Sequence, residues 1–290
     1  MSFIKLSPCC LSGGILAGEP RGVLEPEGDQ RKIARYRTRT RPSSRSAYDN
    51  KIERQRDKAI VLFTDPAGLS IPNPKIIADS LSDALGLEVF VPQYYLIKAK
   101  QLPYQLFDGI MPLYPEQFAD RTWYQTIFIW VVFLFRIWRF IPMLISPSSQ
   151  MPLAQDALID LRSEGYKTLG AIGYCRGAAV ILHLLHQSAT IDAAVLCHPS
   201  PERKTYSSLE GMPTCWQLAD PGYDPFMKLD EIAFLRRELD KLGGEWEMEV
   251  HKVHGFASRP MMDHEPTRQA FEKAHQNAIA FFSKHLLGKE

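Results

Sequence analysis

One cysteine stands between two glycines in the stretch GYCRG, residues 173–177. It falls where a short apolar run gives way to a helix-like run, the setting of a nucleophile elbow with cysteine in the serine position. Such a turn strains its central residue, and flanking glycines let the neighbouring backbone pass close by. We therefore expect the Cys175 sulfur at the rim of a sheet, beside a helix N-terminus that favours a thiolate. The predicted chemistry is attack on an acyl carbon; the alternative is a small buried cysteine without a chemical role.

A thiol nucleophile needs a general base, and in this class of turn the partners follow in the order nucleophile, acid, histidine. His254 lies in the loop after the last predicted strand, so we expect it at the same sheet rim as Cys175. His251 is expected inside that strand, and a metal pair of His251 and His254 lacks further ligands, so no metal is predicted. Two more histidines are one helical turn apart and are expected to be structural, His183 and His186.

The carboxylate that orients the histidine is expected just past the strand PTCWQLA, and two aspartates compete for this role. Asp220 follows the strand directly, whereas Asp224 lies four residues further on, in an Asp-Pro-Phe segment. We favour Asp224, because a loop acid must reach across to His254 and this segment is typical of a turn back into the sheet. Asp220 remains the alternative.

Apolar runs alternate with helical patterns along most of the chain, and this alternation must position the three side chains. It predicts a mostly parallel sheet with helices on both faces, an α/β fold whose chemistry gathers at the carboxyl ends of the strands. The predicted strands are 58–65, 87–93, 167–174, 191–197, 213–219 and 245–251. The predicted helices are 73–86, 151–165, 176–187, 230–244 and 265–287.

The pattern suggests an N-terminal arm, residues 1–57, followed by one α/β domain, residues 58–290, which contains an insertion at 94–150. The insertion includes an aromatic segment, 122–145, whose longest uncharged stretch has fourteen residues, Thr122 to Phe135. This falls short of the roughly 20 apolar residues that a membrane-spanning helix needs. We expect a helical lid over a pocket. The alternative is a helix that lies in a bilayer interface, a location that suits tryptophans with arginines nearby.

The overall composition points to a small-molecule partner and away from nucleic acid, because the 290 residues carry a formal charge of only +1. Residues 31–58 are locally basic, with eleven Lys and Arg against three acids, and we expect a solvated loop there, with an anionic membrane surface or partner as the alternative. Five cysteines without CxxC spacing suggest a reducing compartment and a cytoplasmic location, with no disulfide framework. The oligomeric state is not predictable.

Several segments together resemble the dienelactone hydrolase family, in particular its fungal branch, over nearly the full length. They are CCLSGGILAGEPRG (9–22), the stretch from Asp65 to Tyr95, GYCRGA (173–178), HPS (198–200) and HGFASR (254–259). The combination of GYCxG and HGFxxR at this separation is specific. The resemblance implies an α/β-hydrolase fold and a Cys-Asp-His triad, carried here by Cys175, Asp224 and His254. It also implies hydrolysis of lactones or esters without a cofactor.

The turn after the first central strand departs from what the resemblance implies. In the family this turn provides an acidic residue near the thiol and a backbone N–H for the oxyanion hole, and here it contains Asp65. Pro66 lacks an N–H, so we expect Ala67 or another amide to serve together with the N–H of Arg176. Arg259 is a candidate to bind a substrate carboxylate, with a solvated surface arginine as the alternative.

The residues support acyl transfer to water through a thioester. A catalytically silent scaffold that binds a ligand or partner is the first alternative, because Pro66 and the unusual insertions weaken the case for catalysis. A second alternative keeps the triad but redirects the intermediate to lactone rearrangement or cyclisation in secondary metabolism. A peripheral membrane esterase is a third.

Overall fold

The described residues of this computed structural model are 13–26, 33–39, 57–94, 122–138, 150–222, 224, 226–253 and 255–289. They form an eight-stranded sheet with the order β1-β2-β4-β3-β5-β6-β7-β8. The strands are β1 (Val23–Glu25), β2 (Arg35–Arg37), β3 (Lys58–Phe63), β4 (Glu88–Pro92), β5 (Thr168–Tyr174), β6 (Ala193–Cys197), β7 (Thr214–Leu218) and β8 (Trp246–Val250).

Six strands, β3 to β8, run parallel, and their register brings the carboxyl ends to one edge. Phe63 at the end of β3 pairs with Gly173, and Tyr174 at the end of β5 pairs with Cys197 at the end of β6. Loops that follow these strands therefore emerge beside one another, as the sequence predicts.

Helices cover both faces of the sheet. They are α1 (Asn73–Leu85), α2 (Trp123–Ile137), α3 (Met151–Ser163), α4 (Arg176–His186), α5 (Leu229–Leu242) and α6 (Glu265–Leu287). Alternate residues of β3 divide between two hydrophobic clusters, with Val61 packing on the side of α3 and α4 and Leu62 on the side of α1 and α6. A strand that is buried on both faces must be apolar throughout, which explains its continuous hydrophobic run.

The predicted alternation of strands and helices is confirmed, with shifts of at most two residues at the ends. Gly86, predicted to end α1, adopts a left-handed conformation with φ 70° and caps that helix. His251, which was expected inside the last strand, lies just after it, because β8 ends at Val250.

The basic stretch 31–58 is not simply a solvated loop, because part of it forms an edge of the sheet. Strand β2 pairs antiparallel with β4 and with β1, and Arg35 is buried. The Arg35 guanidinium forms ion pairs of 2.8 Å with Glu25 and 2.7 Å with Glu164, and it stacks over the Phe90 ring at 4.4 Å. A buried charge is tolerated when it is paired in this way, so the expectation of a solvated loop is wrong for residues 35–37.

The boundary between an arm and a domain at residue 57 remains a prediction, although β1 and β2 belong to the same sheet as the rest. Within the insertion 94–150, the structure describes α2 and a few residues beside it. Among the described residues, no helix combines the length and the apolar character that crossing a membrane requires.

Candidate active site

Cys175 occupies the turn between β5 and α4, and it has the strained backbone expected of a nucleophile elbow. Its φ of 53° and ψ of −113° lie outside the regions that non-glycine residues favour. A Cβ on Gly177 would come within 2.1 Å of the Phe63 carbonyl oxygen, and one on Gly173 within 2.6 Å of the Ala178 nitrogen. Both flanking glycines are therefore required by close backbone contacts, as the sequence predicts.

Neighbouring backbone groups anchor this turn at the carboxyl edge of the sheet. The Cys175 N–H donates to the Cys197 carbonyl at 2.9 Å, which ties the turn to the end of β6. Cys175 is also the N-cap of α4, so the first amides of that helix, beginning with the N–H of Arg176, lie next to it. A helix N-terminus favours negative charge, which suits both a thiolate and an oxyanion.

The sulfur of Cys175 is disulfide-bonded in this structure, which differs from the expectation of no disulfides. Cys197 and Cys215 are free and buried. Burial raises the pKa of Cys215 to about 12 and raises that of Cys197 as well. These two thiols are therefore poor nucleophiles.

Asp65 lies on the turn after β3 and accepts hydrogen bonds on both carboxylate oxygens. The Ala67 N–H donates to Oδ1 at 3.0 Å, and the Ser258 hydroxyl donates to Oδ2 at 3.1 Å. In this structure Asp65 takes the N–H of Ala67, so the role of Ala67 or another amide in the oxyanion hole stays a prediction. The carboxylate of an aspartate commonly binds the amide two residues on in such turns, a competition that we overlooked.

Arg259 is not a surface arginine, because it is fully buried and its Nε lies 2.9 Å from Oδ2 of Asp65. The pair joins the turn after β3 to the loop after β8. Arg259 therefore holds Asp65 in place. Its binding of a substrate carboxylate stays a prediction.

The two candidate acids differ sharply in their surroundings. Asp224 is only 1 % exposed, and its Oδ1 accepts the N–H groups of Phe226 at 2.7 Å and Met227 at 3.1 Å. Asp220 is partly exposed, and its Oδ1 accepts the N–H of Gly222 at 2.7 Å. Burial and the hydrogen bonds from backbone amides favour a fixed carboxylate at Asp224, which is what an orienting acid requires.

The loop that contains His254 is joined to the acid loop on its N-terminal side. The Asp220 N–H donates to the Val253 carbonyl at 3.2 Å, and both Val253 and Phe256 are buried. His254 itself lies outside the described residues, so its pairing with Cys175 stays a prediction. The described residues on either side set the position of the loop at the carboxyl edge of β8.

His198 is a histidine that we did not consider as a site residue. It follows β6 directly, is buried with φ 35°, and its ring lies 5.7 Å from the Phe256 ring. Its neighbour Cys197 accepts the hydrogen bond from the Cys175 N–H, so His198 belongs to the same edge of the sheet as Cys175. The available signal was its place immediately after a predicted strand that runs beside the elbow.

The other histidines make structural contacts. Nε2 of His251 lies 2.8 Å from Oε1 of Gln217, and burial lowers the pKa of this imidazole. Burial likewise lowers the pKa of His183, and Nδ1 of His186 lies 3.0 Å from the Ser208 hydroxyl. Within the described ranges, no group of three His, Cys, Asp or Glu residues is placed to hold a metal ion.

Tyr94 supports the Asp65 turn. Its hydroxyl donates to the Thr64 carbonyl at 2.6 Å, and its ring packs edge-on against Phe63 with centroids 5.5 Å apart. Tyr95 lies outside the described residues.

A parallel sheet with a strained residue on a tight strand-to-helix turn defines an α/β-hydrolase. The chain belongs to the dienelactone hydrolase family, whose family model matches residues 46–286, and it is an ester or lactone hydrolase of that family.

Two known fungal proteins have similar sequences. A protein called "Hydrolase pyvD" from Aspergillus violaceofuscus (strain CBS 115571) is 23% identical over 290 residues and covers 99% of both chains. "Dienlactone hydrolase 1" from Gibberella moniliformis (strain M3125 / FGSC 7600) is 23% identical over 258 residues, which are 87% of this chain and 83% of the relative.

Solved structures support the same fold. A putative dienelactone hydrolase from Klebsiella pneumoniae aligns with a TM-score of 0.56 at 14% identity, covering 87% of this chain and 93% of the other. The thermophilic esterase Est2 from Thermogutta terrifontis aligns with a TM-score of 0.55 at 12% identity, covering 91% and 92%. At these identities the likeness concerns the fold alone.

Proposed function

We propose that the protein cleaves a lactone or ester through a covalent thioester on Cys175, with His254 as the general base and Asp224 as the orienting acid. The observation that supports this most directly is the strained Cys175 backbone between two glycines that leave no room for a Cβ. Strain of this kind persists where the surrounding structure enforces it, typically at a catalytic nucleophile.

The first half of the proposed reaction forms the thioester. In the reduced protein, His254 takes the proton from the Cys175 thiol, and the thiolate attacks the carbonyl carbon. The N–H of Arg176, at the start of α4, donates to the oxyanion that develops. When the tetrahedral intermediate collapses, the ring or ester C–O bond breaks, and the imidazolium returns its proton to the leaving oxygen.

The second half hydrolyses the thioester. His254 removes a proton from water, the hydroxide adds to the thioester carbonyl, and the thiolate leaves and is reprotonated. A buried Asp224 carboxylate would hold the imidazole in the tautomer that both halves need. Asp65 and Arg259 act as positioning residues in this scheme, since they fix the turn that faces the nucleophile.

The test compares Cys175→Ala with wild type on activated aryl esters and enol lactones, both proteins being fully reduced. We expect a loss of at least about 10³-fold in kcat/KM, because the residual rate comes only from binding and oxyanion donors. Acylated wild-type enzyme, trapped by acid quench, should gain the acyl mass on the peptide that contains Cys175. Activity of the alanine variant within a few-fold of wild type would contradict the proposal.

A catalytically silent scaffold is the second candidate, and one observation favours it: the Ala67 amide is bound to Asp65, which leaves Arg176 as the single assigned oxyanion donor. Alkylation of the reduced protein separates the two. A thiol at Cys175 that reacts with iodoacetamide at neutral pH faster than a model thiol supports the hydrolase, and an inert one supports the scaffold.

A further inference from the structure

Helix α2 presents a broad apolar face to solvent. Six large hydrophobic side chains of the helix and that of Trp138 at its C-cap are each more than half exposed. The seven are Trp123, Tyr124, Ile127, Phe128, Val131, Phe135 and Trp138. At about 100° of rotation per residue, all seven fall within an arc of roughly 140°. Val132 lies outside this arc and packs against the hydrophobic core. We call these seven residues the α2 apolar face.

This face is unusual for a helix at the surface of a water-soluble domain. An amphipathic helix normally turns its apolar stripe inward, and contiguous exposed apolar patches mark interaction sites. Here the stripe points outward, and the side chain that packs on the core lies beside it. The face therefore needs a partner that is apolar over the length of the helix.

The length of α2 excludes one kind of membrane contact and fits another. Fifteen residues extend about 22 Å, less than the bilayer hydrocarbon core of about 30 Å. A helix of this length with one apolar face can lie in the plane of a bilayer and bury that face at the boundary between headgroups and acyl chains. Trp123 and Tyr124 at one end and Trp138 at the other suit this boundary, where the aromatic rings of Trp and Tyr concentrate.

The charge of the surrounding sequence favours an anionic lipid surface over a second protein copy. Residues 121–149 contain three arginines, Arg121, Arg136 and Arg139, and neither Asp nor Glu. Basic residues beside an interfacial helix attract anionic headgroups, whereas a second copy of the same segment would contribute no acidic residue to pair with these arginines. We propose that the α2 apolar face binds the surface of a bilayer that contains anionic lipid, with the helix parallel to the membrane plane.

Vesicle flotation of the full chain provides the first test. The probes are vesicles of phosphatidylcholine alone and of phosphatidylcholine with phosphatidylserine. We expect the protein to float with the anionic vesicles and to lose at least about tenfold in partitioning when Phe128→Glu and Phe135→Glu are combined. The matched control is Leu229→Glu, an exposed apolar residue on α5 that should leave binding unchanged. Circular dichroism and thermal unfolding confirm that both variants fold.

Tryptophan fluorescence gives an independent readout. Lipid that is brominated in its acyl chains should quench Trp123 and Trp138, so Trp123→Phe and Trp138→Phe should each reduce the quenching, while the buried Trp216 stays unaffected. Cys175→Ala should bind vesicles like wild type, which separates this proposal from the hydrolase mechanism.

Three results would overturn the proposal. The first is absence of binding to anionic vesicles, and the second is equal binding to neutral vesicles, which removes the role of charge. The third is a dimer, measured by light scattering, that the glutamate pair dissociates while vesicle binding is absent.

Discussion

Cys175 is the residue at which the sequence was most informative. Two glycines around a cysteine predicted a tight turn, because steric exclusion acts between residues that are neighbours in the chain. The Asp65–Arg259 pair was not predictable in this way, since its members are far apart in sequence and each alone is typical of an exposed loop. Ala67 shows the same limit: its amide could be proposed as an oxyanion donor, but only coordinates reveal that a carboxylate has taken it.

The disulfide on Cys175 leads to a prediction about activation. A sulfur in a disulfide cannot act as a nucleophile, so the oxidised protein should hydrolyse esters at least about tenfold more slowly than protein reduced with dithiothreitol. The intact mass under non-reducing conditions reports which form is present. Equal rates for the fully oxidised and reduced forms would contradict a nucleophilic Cys175.

One doubly substituted variant tests which cysteine provides the partner sulfur. The sequence has two cysteines outside the described residues, Cys9 and Cys10. If one of them is the partner, the doubly substituted Cys9→Ser, Cys10→Ser protein should be active without reductant. A double variant that still needs dithiothreitol points to a partner on another molecule.

At the scale of the element, predictability followed hydrophobic content. The parallel strands are apolar on both faces and flanked by helices, so their positions could be read from the sequence within a few residues. Strands β1 and β2 are three residues each, and β2 reads Arg-Tyr-Arg, which is typical of a solvated segment. Its stability comes from partners elsewhere in the chain, which single-sequence patterns do not contain.

The ion pairs of β2 can be tested by comparing two arginines on the same strand. Arg35→Ala should lower the free energy of unfolding by about 3 kcal/mol, because it removes the stacking on Phe90 and leaves Glu25 and Glu164 without their buried partner. Arg37→Ala, at a side chain that is 39% exposed, should cost less than about 1 kcal/mol. Urea unfolding measures both. Equal losses of unfolding free energy in the two variants would show that burial of the Arg35 ion pairs adds no stability beyond that of the exposed Arg37 pairs.

At the scale of the whole molecule, a segment early in the sequence is hydrogen-bonded to a loop that lies late in the sequence. The Gly14 N–H donates to the Arg259 carbonyl at 3.0 Å. The side chain of Asn73 bridges the two segments, since its Nδ2 donates to the carbonyls of Gly14 and Ser258 and its Oδ1 accepts the Leu16 N–H. The described residues 13–16 are therefore part of the packed molecule.

Asn73→Ala should release this contact. The change removes three hydrogen bonds, two buried and one partly buried, so we expect a loss of about 3 kcal/mol in the free energy of unfolding and faster hydrogen exchange at the Leu16 amide. The control is Asn277→Ala on α6. Loss of its partly buried side-chain hydrogen bonds should lower the free energy of unfolding by about 1 kcal/mol. Unchanged exchange at Leu16 would mean that the N-terminal segment is held by other contacts.

The hydrogen bond between Gly14 and Arg259 also constrains the order in which parts of the chain can fold during synthesis. Residues 13–16 are synthesised well before the Arg259 carbonyl that binds Gly14, and Arg35 is synthesised well before its partner Glu164. Pairings this distant in sequence form slowly, so residues 13–16 stay unpaired while the central strands assemble. Formation of this hydrogen bond should thus be among the last steps of folding, when the loop that contains Arg259 acquires its final neighbours.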